Sequence, residues 1–566
     1  MGGGVFIRGA VAFCAALGAL LLCAGTVSAE LSVRWSATFG GEQNREVVSS
    51  ILRDPSSGEI LATSLTYVNG RGYGPTGGLQ LERPLLNRFS ADGQLISRIE
   101  TPNGYALDDL MRGDDGSIYV TGTGNVDPDN RWSDDTFVAK LTPDGRFEWL
   151  QSLADFMSGG SRGAALSSDG YIYVAGPPPE DYLGGISLVR VPIDGGAPSQ
   201  VSVLRGNAGP NDVAIAPDGS VVVAGWVRDG ALPVVGGFGS PAGGVDAYVA
   251  SFSPTTGAQT YGTYLGGASI DGANAVAVRP DGATYLTGST DSSDFVSKRP
   301  AGSRLPAPTP AGFQDVFIAK IAPDGDLEYS TALPGWAAEV GNDIAATDDG
   351  SAVVVGSQVG ENFPQVGSDL SAGDDQGELD SFIVRVAPKG ASLSVATAFG
   401  GSGQDGVSSV LVEDDGDLLL GGASNSPDLP GLIGPPPTQV QGVGLLAAFD
   451  YAPEVVDPRI KAKRVQTQGG GGPVSIRLQV SAAEAVRTRI AGKVSSAGGA
   501  RRTPVVNRKV PFAESRKVRL RLSPRASRAV LRKLRVEGSA KASVRVRFRD
   551  GDGDTKTKTA RVRLRP

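Results

Sequence analysis

The chain of 566 residues contains no histidine and only two cysteines. Without histidine it lacks the usual general base, the commonest transition-metal ligand and every Ser-His or Cys-His nucleophile pair. Both cysteines, Cys14 and Cys23, lie before Glu30, so the sequence from Glu30 onward can form neither a disulfide nor a cysteine-based metal site. These absences remove the common nucleophilic and metal-assisted enzyme classes, and we predict a protein that is not an enzyme.

Long apolar runs are also absent outside residues 1–29. Within that segment Arg8 precedes an apolar stretch from Val11 to Cys23, which is followed by the small residues Val27-Ser28-Ala29. This order is typical of a secretory signal peptide cut after Ala29. A retained membrane anchor is the alternative, but the apolar stretch is short for one. We therefore predict an extracellular protein, secreted or associated with the cell surface, with no transmembrane span after Ala29.

Aromatic residues are few, at 6%, whereas glycine occurs 80 times, which indicates many short strands joined by tight turns. The segments 211–219, 274–282 and 342–350 share one pattern, an alternating apolar strand that runs into an Asp-Gly turn. Asp-Gly supplies the positive φ that a two-residue hairpin requires. A turn glycine of this kind recurs seven times, at Gly58, Gly116, Gly170, Gly219, Gly282, Gly350 and Gly416.

Each repeat contains four short strands. Four strands within the distance that separates successive turn glycines are typical of a propeller blade. Third strands start at Asp135, Asp246, Asp315 and Asp380, where we expect the carboxylates to brace the preceding turn. The seventh unit has only three strands, and the missing one occurs at the other end of the chain, at Trp35–Gly41. We predict an all-β, seven-bladed β-propeller over residues 30–452, closed by this N-terminal strand.

The clearest repeat segments are Tyr261–Gly267, Asp271–Val278 and Tyr285–Phe295. They resemble the bacterial seven-bladed β-propeller repeat family of exported proteins, over about residues 31–450. The resemblance implies a fold and an extracytoplasmic location. It implies little about chemistry, because propellers support many unrelated functions.

The net charge of −7 conceals two oppositely charged parts, since lysine and arginine far outnumber aspartate and glutamate from Val456 to Pro566 and acidic residues predominate before it. We predict a linker over residues 453–472 and a small basic β-sandwich domain over 473–566. Period-two alternation predicts strands in Val518–Leu522, Val544–Arg549 and Arg561–Arg565. Ser523-Pro524 predicts the start of a short helix between the first two. The region from Val518 onward resembles the small Arg/Lys-rich, immunoglobulin-like C-terminal modules of some actinobacterial exported proteins.

Alternation places valine, leucine and phenylalanine on one face of these strands and arginine on the other. A row of arginines is suited to phosphate or carboxylate polymers. The candidate polyanion-binding residues are Arg519, Arg521, Arg545, Arg547, Arg549, Arg561 and Arg563. The alternatives are a solubilising charged face or a surface that docks on the acidic propeller. Almost no aromatic residues alternate with the arginines, so nucleic acid is not the predicted partner.

Asp109, Asp212 and Asp343 each lie seven positions before a turn glycine, in blades two, four and six. If the first strand of each blade is innermost, the three carboxylates share one level of the central channel and could hold a calcium-type cation. Binding of backbone amides is the alternative role. The Asp550-Gly-Asp-Gly-Asp554 sequence lacks the downstream glutamate of a calcium loop and is interpreted as a hairpin turn.

We predict a non-catalytic binding or scaffolding propeller at the cell surface, retained by a basic domain that binds anionic cell-wall polymer or polysaccharide. Another surface protein is a second candidate partner, and Ca²⁺ is the only candidate cofactor. One alternative is a polysaccharide-active lyase or glycosidase that uses carboxylates, which need no histidine. The other is a purely structural surface-layer component.

Overall fold

The computed structural model describes residues 30–564 apart from several short gaps. These gaps are residues 41–43, 69–79, 82–84, 101–104, 125–134, 180–183, 302, 306–313, 334, 336–337, 360–362, 372–378, 414–415, 438–441, 453–458, 463–474, 482–485, 497–498, 503–505, 511–514, 522, 524–526, 529, 531–539 and 550–554. The predicted signal peptide and the Asp550–Asp554 turn therefore lie outside the described residues.

Seven antiparallel sheets follow one another along the chain and form the blades. Blade one contains β2 (Asn44–Arg53), β3 (Ile60–Val68), β4 (Gln80–Leu81), β5 (Leu85–Phe89) and β6 (Leu95–Glu100). Blade two contains β7 (Tyr105–Arg112), β8 (Ile118–Gly124), β9 (Asp135–Leu141) and β10 (Phe147–Ser152). Blade three contains β11 (Ala164–Ser167), β12 (Tyr171–Gly176), β13 (Gly185–Pro192) and β14 (Ser199–Arg205).

The remaining blades have the same order of strands. Blade four contains β15 (Ala208–Ile215), β16 (Val221–Arg228), β17 (Val245–Phe252) and β18 (Gln259–Leu265). Blade five contains β19 (Asp271–Val278), β20 (Thr284–Thr290), β21 (Asp315–Ile321) and β22 (Leu327–Leu333). Blade six contains β23 (Glu339–Ala346), β24 (Ala352–Val359), β25 (Leu370–Ser371), β26 (Leu379–Val386) and β27 (Leu393–Gly400). Blade seven contains β28 (Asp405–Val412), β29 (Leu418–Ser424), β30 (Leu432–Ile433), β31 (Val443–Ala452) and β1 (Glu30–Phe39).

The seven predicted turn glycines all connect the first and second strands of a blade, and all have positive φ, from 73° at Gly58 to 95° at Gly416. A side chain with a Cβ is strained in this region, which is why glycine recurs at these turns. The number of blades predicted from these glycines is confirmed.

The first strand of each blade is the innermost, and these seven strands contact one another in a closed ring, with β28 of blade seven against β2 of blade one. The N-terminal strand β1 pairs antiparallel with β31, with Trp35 opposite Ala448 and Phe39 opposite Gly444. It therefore supplies the strand that blade seven lacks and covers an edge that would otherwise be open. The predicted closure by residues 35–41 is confirmed for the residues up to Gly40 that the structure describes.

Packing between neighbouring blades forms the core. Between blades five and six, for example, Tyr285, Ile318, Val354, Phe382 and Val384 are fully buried in one cluster. Burial of each such side chain stabilises the fold by about 1.5–3 kcal/mol. The alternation of valine, isoleucine and phenylalanine along the repeats thus gives each sheet two faces that can be buried between its neighbours.

After the propeller, two further sheets are described. One contains β32 (Arg459–Ala462), β33 (Ser475–Ser481) and β37 (Ser515–Arg521). The other contains β34 (Val486–Ser496), β35 (Gly499–Arg502), β36 (Val506–Val510), β38 (Ala540–Arg549) and β39 (Thr555–Leu564). All three strands predicted in this region are present, and β32 lies within the stretch predicted as a linker.

Ser527, Arg528 and Val530 are helical, and the Ser527 N–H donates to the Ser523 carbonyl at 2.8 Å. This bond closes a first helical turn at the serine predicted to begin the helix. In the described part of the chain no helix is long and apolar enough to cross a membrane.

Candidate functional site: the central channel

Six of the innermost strands contain a register shift at the same level, which places two residues opposite one on the neighbouring strand. The shifts lie between Val48 and Ser50, Leu107 and Leu110, Pro210 and Asp212, Ala273 and Ala275, Gly341 and Asp343, and Val407 and Ser409. A β-bulge redirects side chains locally and is common beside functional sites. The residues at and beside these bulges line a cavity of about 370 Å³ at the propeller axis.

The cavity lining is polar. Serine, asparagine and aspartate side chains from the bulges predominate, and Arg162 from the segment before β11 is the one basic residue in the lining that is described. Asp109, Asp212 and Asp343 all line the cavity, as predicted from their spacing. The channel therefore has the composition of a site for a hydrogen-bonding or charged ligand, not an apolar one.

Asp212 and Asp343 each connect two blades. Oδ1 of Asp212 accepts the N–H of Val213, and Oδ2 accepts the N–H of Val276 in blade five, both at 2.7 Å. Asp343 makes the same pair of contacts, with Ile344 in its own strand and with Val410 in blade seven, again at 2.7 Å. Both oxygens of each carboxylate thus have a backbone donor. These contacts correspond to the alternative role predicted for the aspartates, the binding of backbone amides.

An asparagine at the bulge of each of blades four, five and six extends this connection. The side-chain amides of Asn211, Asn274 and Asn342 donate to the carbonyls of Ala273, Gly341 and Val407, at 2.8, 2.9 and 2.8 Å. The hydroxyl of Ser408 continues the series to the Val48 carbonyl at 2.5 Å, and that of Ser49 continues it to the Leu107 carbonyl at 2.9 Å. A belt of hydrogen bonds therefore runs from blade four through blade seven to blade two.

Burial raises the pKa of the channel carboxyls, because the charged form loses solvation there. The pKa of Asp109 and that of Asp343 are each raised to about 6 by burial, against the opposing effect of their hydrogen bonds. The pKa of Asp212 is raised well above its usual range, first by burial and further by the charges of Asp343 and Asp109. The three carboxyls therefore share one electrostatic environment.

Asp108 was not identified from the sequence, although it occupies the channel beside Asp109. Its Oδ2 accepts the Ser161 hydroxyl at 2.8 Å. Burial raises its pKa to about 7, the neighbouring charge of Asp109 contributes to this rise, and the Ser161 hydrogen bond and the Arg162 charge oppose it. With Ser161 and Arg162 it forms the part of the channel wall between blades two and three.

The predicted calcium-type site at Asp109, Asp212 and Asp343 stays a prediction. Among the residues that the structure describes, no group of three or more aspartate or glutamate side chains is arranged to hold a metal ion. Calcium at this level would have to compete with the backbone donors that already occupy both oxygens of Asp212 and Asp343.

The seven predicted polyanion-binding arginines lie in two different sheets. Arg519 and Arg521 are on β37, whereas Arg545, Arg547, Arg549, Arg561 and Arg563 are on the adjacent strands β38 and β39. On the sheet of β38 the register pairs Arg547 with Arg489 and Arg549 with Arg487, two arginines that were not identified from the sequence. The basic face of this sheet thus extends over β34 as well.

No family model and no curated protein matches the sequence. Solved structures of similar fold include the extracellular domain assigned to a hybrid two-component system of B. thetaiotaomicron, at 11% identity and a TM-score of 0.37 over 93% of this chain and 59% of that one. This chain therefore spans less than two thirds of that neighbour.

Two further solved structures are similar in fold. One is Sqt1 from Chaetomium thermophilum, at 11% identity and a TM-score of 0.38 over 74% of this chain and 99% of that one. The other is an α-L-arabinofuranosidase from Fusarium graminearum, at 12% identity and a TM-score of 0.31 over 75% and 97%. Because propellers support many unrelated functions, the fold alone does not decide whether this chain is catalytic.

Proposed function

We propose that the protein is an exported member of the bacterial seven-bladed propeller repeat proteins that binds or scaffolds without catalysis, retained at the cell surface by its basic C-terminal domain. The domain binds an anionic envelope polymer. The observation that supports this most directly is the distribution of charge over the sheet formed by β34, β35, β36, β38 and β39.

The register assigns all charged positions of one face of that sheet to lysine and arginine. These positions are Arg487, Arg489, Lys493, Arg502, Lys509, Lys541, Arg545, Arg547, Arg549, Arg561 and Arg563. The opposite face contains Ile490, Val546 and Phe548 and is also basic, with Arg501, Arg508, Lys556 and Lys558 at its charged positions. The described strands of this sheet contain no aspartate or glutamate.

Several like charges lie directly opposite each other in this register, as in the pairs Arg487–Arg549 and Arg489–Arg547. Such cross-strand pairs destabilise a sheet, each by up to about 1 kcal/mol. A solubilising surface needs no such pairs, because lysine and glutamate can alternate on it. A polymer of phosphates or carboxylates, by contrast, supplies the missing countercharges and binds guanidinium groups in a bidentate manner.

The propeller contributes a rigid platform in this proposal. The belt of asparagine, serine and aspartate contacts joins the innermost strands at the axis. Loops on a scaffold fixed in this way are suited to present a binding surface. Another surface protein is a candidate for the ligand of that surface.

Replacing Arg545, Arg547 and Arg549 by glutamine in the full chain is expected to weaken binding to isolated, anionic cell-wall polymer roughly tenfold or more, because three charge-assisted contacts are lost. Binding is measured by co-sedimentation across a salt titration, and the wild type should bind less tightly as salt screens the contacts. The matched control replaces the exposed propeller residues Arg146, Arg228 and Arg304 by glutamine. Equal weakening by both triple variants would show that net charge alone acts, and unchanged binding would contradict the proposal.

A second candidate function, a carboxylate-based polysaccharide enzyme, rests on Asp108. A carboxyl with a pKa of about 7 beside a guanidinium in a polar cavity is the environment of a general acid or base. The non-catalytic proposal predicts that neither the wild type nor Asp108→Asn releases reducing ends or unsaturated sugars from acidic polysaccharides. Turnover by the wild type that Asp108→Asn abolishes would establish the enzyme instead.

A further inference from the structure

Among the residues that the structure describes, a pair of buried aspartates around a glycine occurs twice at the edge of the propeller where the innermost strands begin. In blade five, Asp271 is the first residue of β19 and is fully buried. Its Oδ2 accepts the Gly267 N–H and the Ser292 hydroxyl, both at 2.8 Å. Its Oδ1 is buried and has no hydrogen-bond partner. Asp271 is therefore anchored through Oδ2, and the Thr290 hydroxyl also favours its charged form.

Asp246 of blade four lies close to this carboxylate and is also fully buried. Its Oδ2 accepts the N–H groups of Ala242 and Gly243, at 3.1 and 3.4 Å, which braces the preceding turn as predicted. Its Oδ1 is again buried without a partner. The two carboxylates approach each other across Gly266, since a Cβ there would lie 2.1 Å from Asp246 Oδ1 and 2.9 Å from Asp271 Oδ2.

Blade seven repeats the arrangement with different neighbouring residues. Oδ2 of Asp405 accepts the Gly401 N–H at 2.7 Å and the Ser426 hydroxyl at 2.6 Å, and its Oδ1 is buried without a partner. A Cβ on Gly400 would lie 2.6 Å from Asp380 Oδ1 and 2.8 Å from Asp405 Oδ2. Two separate pairs of blades thus bring two carboxylates together around a glycine.

Blade one shows how the same position is neutralised within the chain. Glu46 lies beside Gly40 and is 1% exposed, and its two oxygens accept hydrogen bonds from the Arg98 guanidinium at 2.9 and 2.7 Å. In the described part of the chain no lysine or arginine forms an ion pair with Asp246, Asp271 or Asp405. Buried carboxylates are normally paired with a cation, bound to a metal or neutralised by a proton, and a cation from outside the chain would neutralise these aspartates where the described residues supply no basic partner.

We propose that Asp246 with Asp271, and Asp405 with the neighbouring Asp380, each bind one divalent cation of the calcium type. Two carboxylates supply the charge that a divalent ion neutralises, and their oxygens are the ligands that hard cations prefer. Neither site contains three carboxylates, and hydroxyl, backbone carbonyl and solvent oxygens complete the coordination that flexible Ca²⁺ accepts. The cation would connect the third strand of one blade to the first strand of the next.

The sequence contains a signal for these sites that spacing alone did not disclose. A Gly-Gly pair precedes the buried aspartate in both blades, at 266–267 and 400–401, and a serine follows it at the same spacing, at Ser292 and Ser426. The partner carboxylate, Asp246 or Asp380, belongs to the third strand of the preceding blade, so only the fold brings the two together.

The test uses the full chain after its signal segment, treated with EDTA and then titrated with CaCl₂. We expect two calcium ions per chain by isothermal titration calorimetry and a rise in Tm of roughly 2–4 °C at saturation. Asp271→Asn should retain one calcium ion, and Asp271→Asn with Asp405→Asn should retain none. The exposed Asp155 serves as the control, since Asp155→Asn should leave the stoichiometry unchanged.

The single variant also separates cation binding from a merely structural role. In EDTA, Asp271→Asn should melt at a higher temperature than the wild type, because an uncompensated buried charge is removed while the acceptor oxygen stays. With calcium the order should reverse. The proposal would be overturned if the Tm of the variant were lower than that of the wild type by the same amount with and without calcium. It would also be overturned if calcium neither bound to the wild type nor changed its Tm. Calcium binding lost in Asp212→Asn but kept in the double variant would place the ion in the channel and equally overturn it.

Discussion

Asp343→Ala is expected to lower the free energy of unfolding of the propeller by about 2–4 kcal/mol. The substitution leaves the backbone N–H groups of Ile344 and Val410 without their acceptor, and each unsatisfied buried group costs about 1–3 kcal/mol. Relief of the repulsion between Asp343 and the carboxylates of Asp109 and Asp212 offsets part of this loss. The contact with Val410 joins blades six and seven, so the effect should extend to cooperativity between blades.

Urea unfolding followed by tryptophan fluorescence measures this effect, and the m-value reports whether blades begin to unfold separately. Asp155→Ala removes an exposed carboxylate and should change the stability by less than about 0.5 kcal/mol. If Asp343→Ala proved as mild as Asp155→Ala, the belt of contacts around the channel would not contribute to the stability of the ring.

The blade count and the closure could be predicted from the sequence because both depend on local patterns. A positive-φ glycine such as Gly282 is required by the hairpin itself, whatever surrounds it. The closing strand was predictable because a missing strand at one end of the chain matches a surplus strand at Trp35–Gly41. Strand alternation likewise predicted that Arg545, Arg547 and Arg549 share one face of a strand.

The bulges could not be predicted in the same way. An extra residue in an antiparallel pair is recognised only when the register of the partner strand is known, and the sequence near Asp108 gives no such register. The bulge brings Asp108 and Asp109 to the channel together, where simple alternation would place them on opposite faces. Arg162 comes from the segment before β11, so its place in the channel depends on the fold of blade three.

The basic face also includes residues that the sequence did not indicate, because strand pairing brings together residues that are distant in the sequence. Arg487 and Arg489 lie far before Arg547 and Arg549 in the sequence, and only the pairing of β34 with β38 makes them neighbours. The same holds for Asp246 and Asp271, whose strands belong to different blades. The local sequence pattern predicts which residues of one strand share a face. Which strands contribute residues to the same site can be predicted only when the order and pairing of the strands are known.

The propeller is expected to become less stable as the pH rises from about 4 to about 7. Burial raises the pKa of Asp108 to about 7 and the pKa values of Asp109 and Asp343 to about 6, whereas an unfolded aspartate titrates near pH ~3.9. Between these values the folded chain binds more protons than the unfolded one, so deprotonation favours unfolding. The stabilisation that these three carboxyls contribute is complete below about pH 4, and it is lost as the pH rises past their pKa values in the folded protein.

A shift of one unit in one group corresponds to about 1.4 kcal/mol, and solvent in the channel reduces the effective shifts, so we expect a total loss of about 2–4 kcal/mol. The Ser56 hydroxyl and N–H hold the pKa of Asp54 well below its usual range, which destabilises the fold when the pH falls below about 4. Stability should therefore have a maximum near pH 4–5. Urea unfolding midpoints measured from about pH 4 to about pH 7 test this prediction. Asp108→Asn should flatten the decline between about pH 5 and pH 7, since the Asp108 carboxyl of the wild type is the last of the three to lose its proton. A stability that increased steadily toward pH 7 would show that the channel carboxyls are fully ionised, and the belt of backbone donors would then be what stabilises their charges.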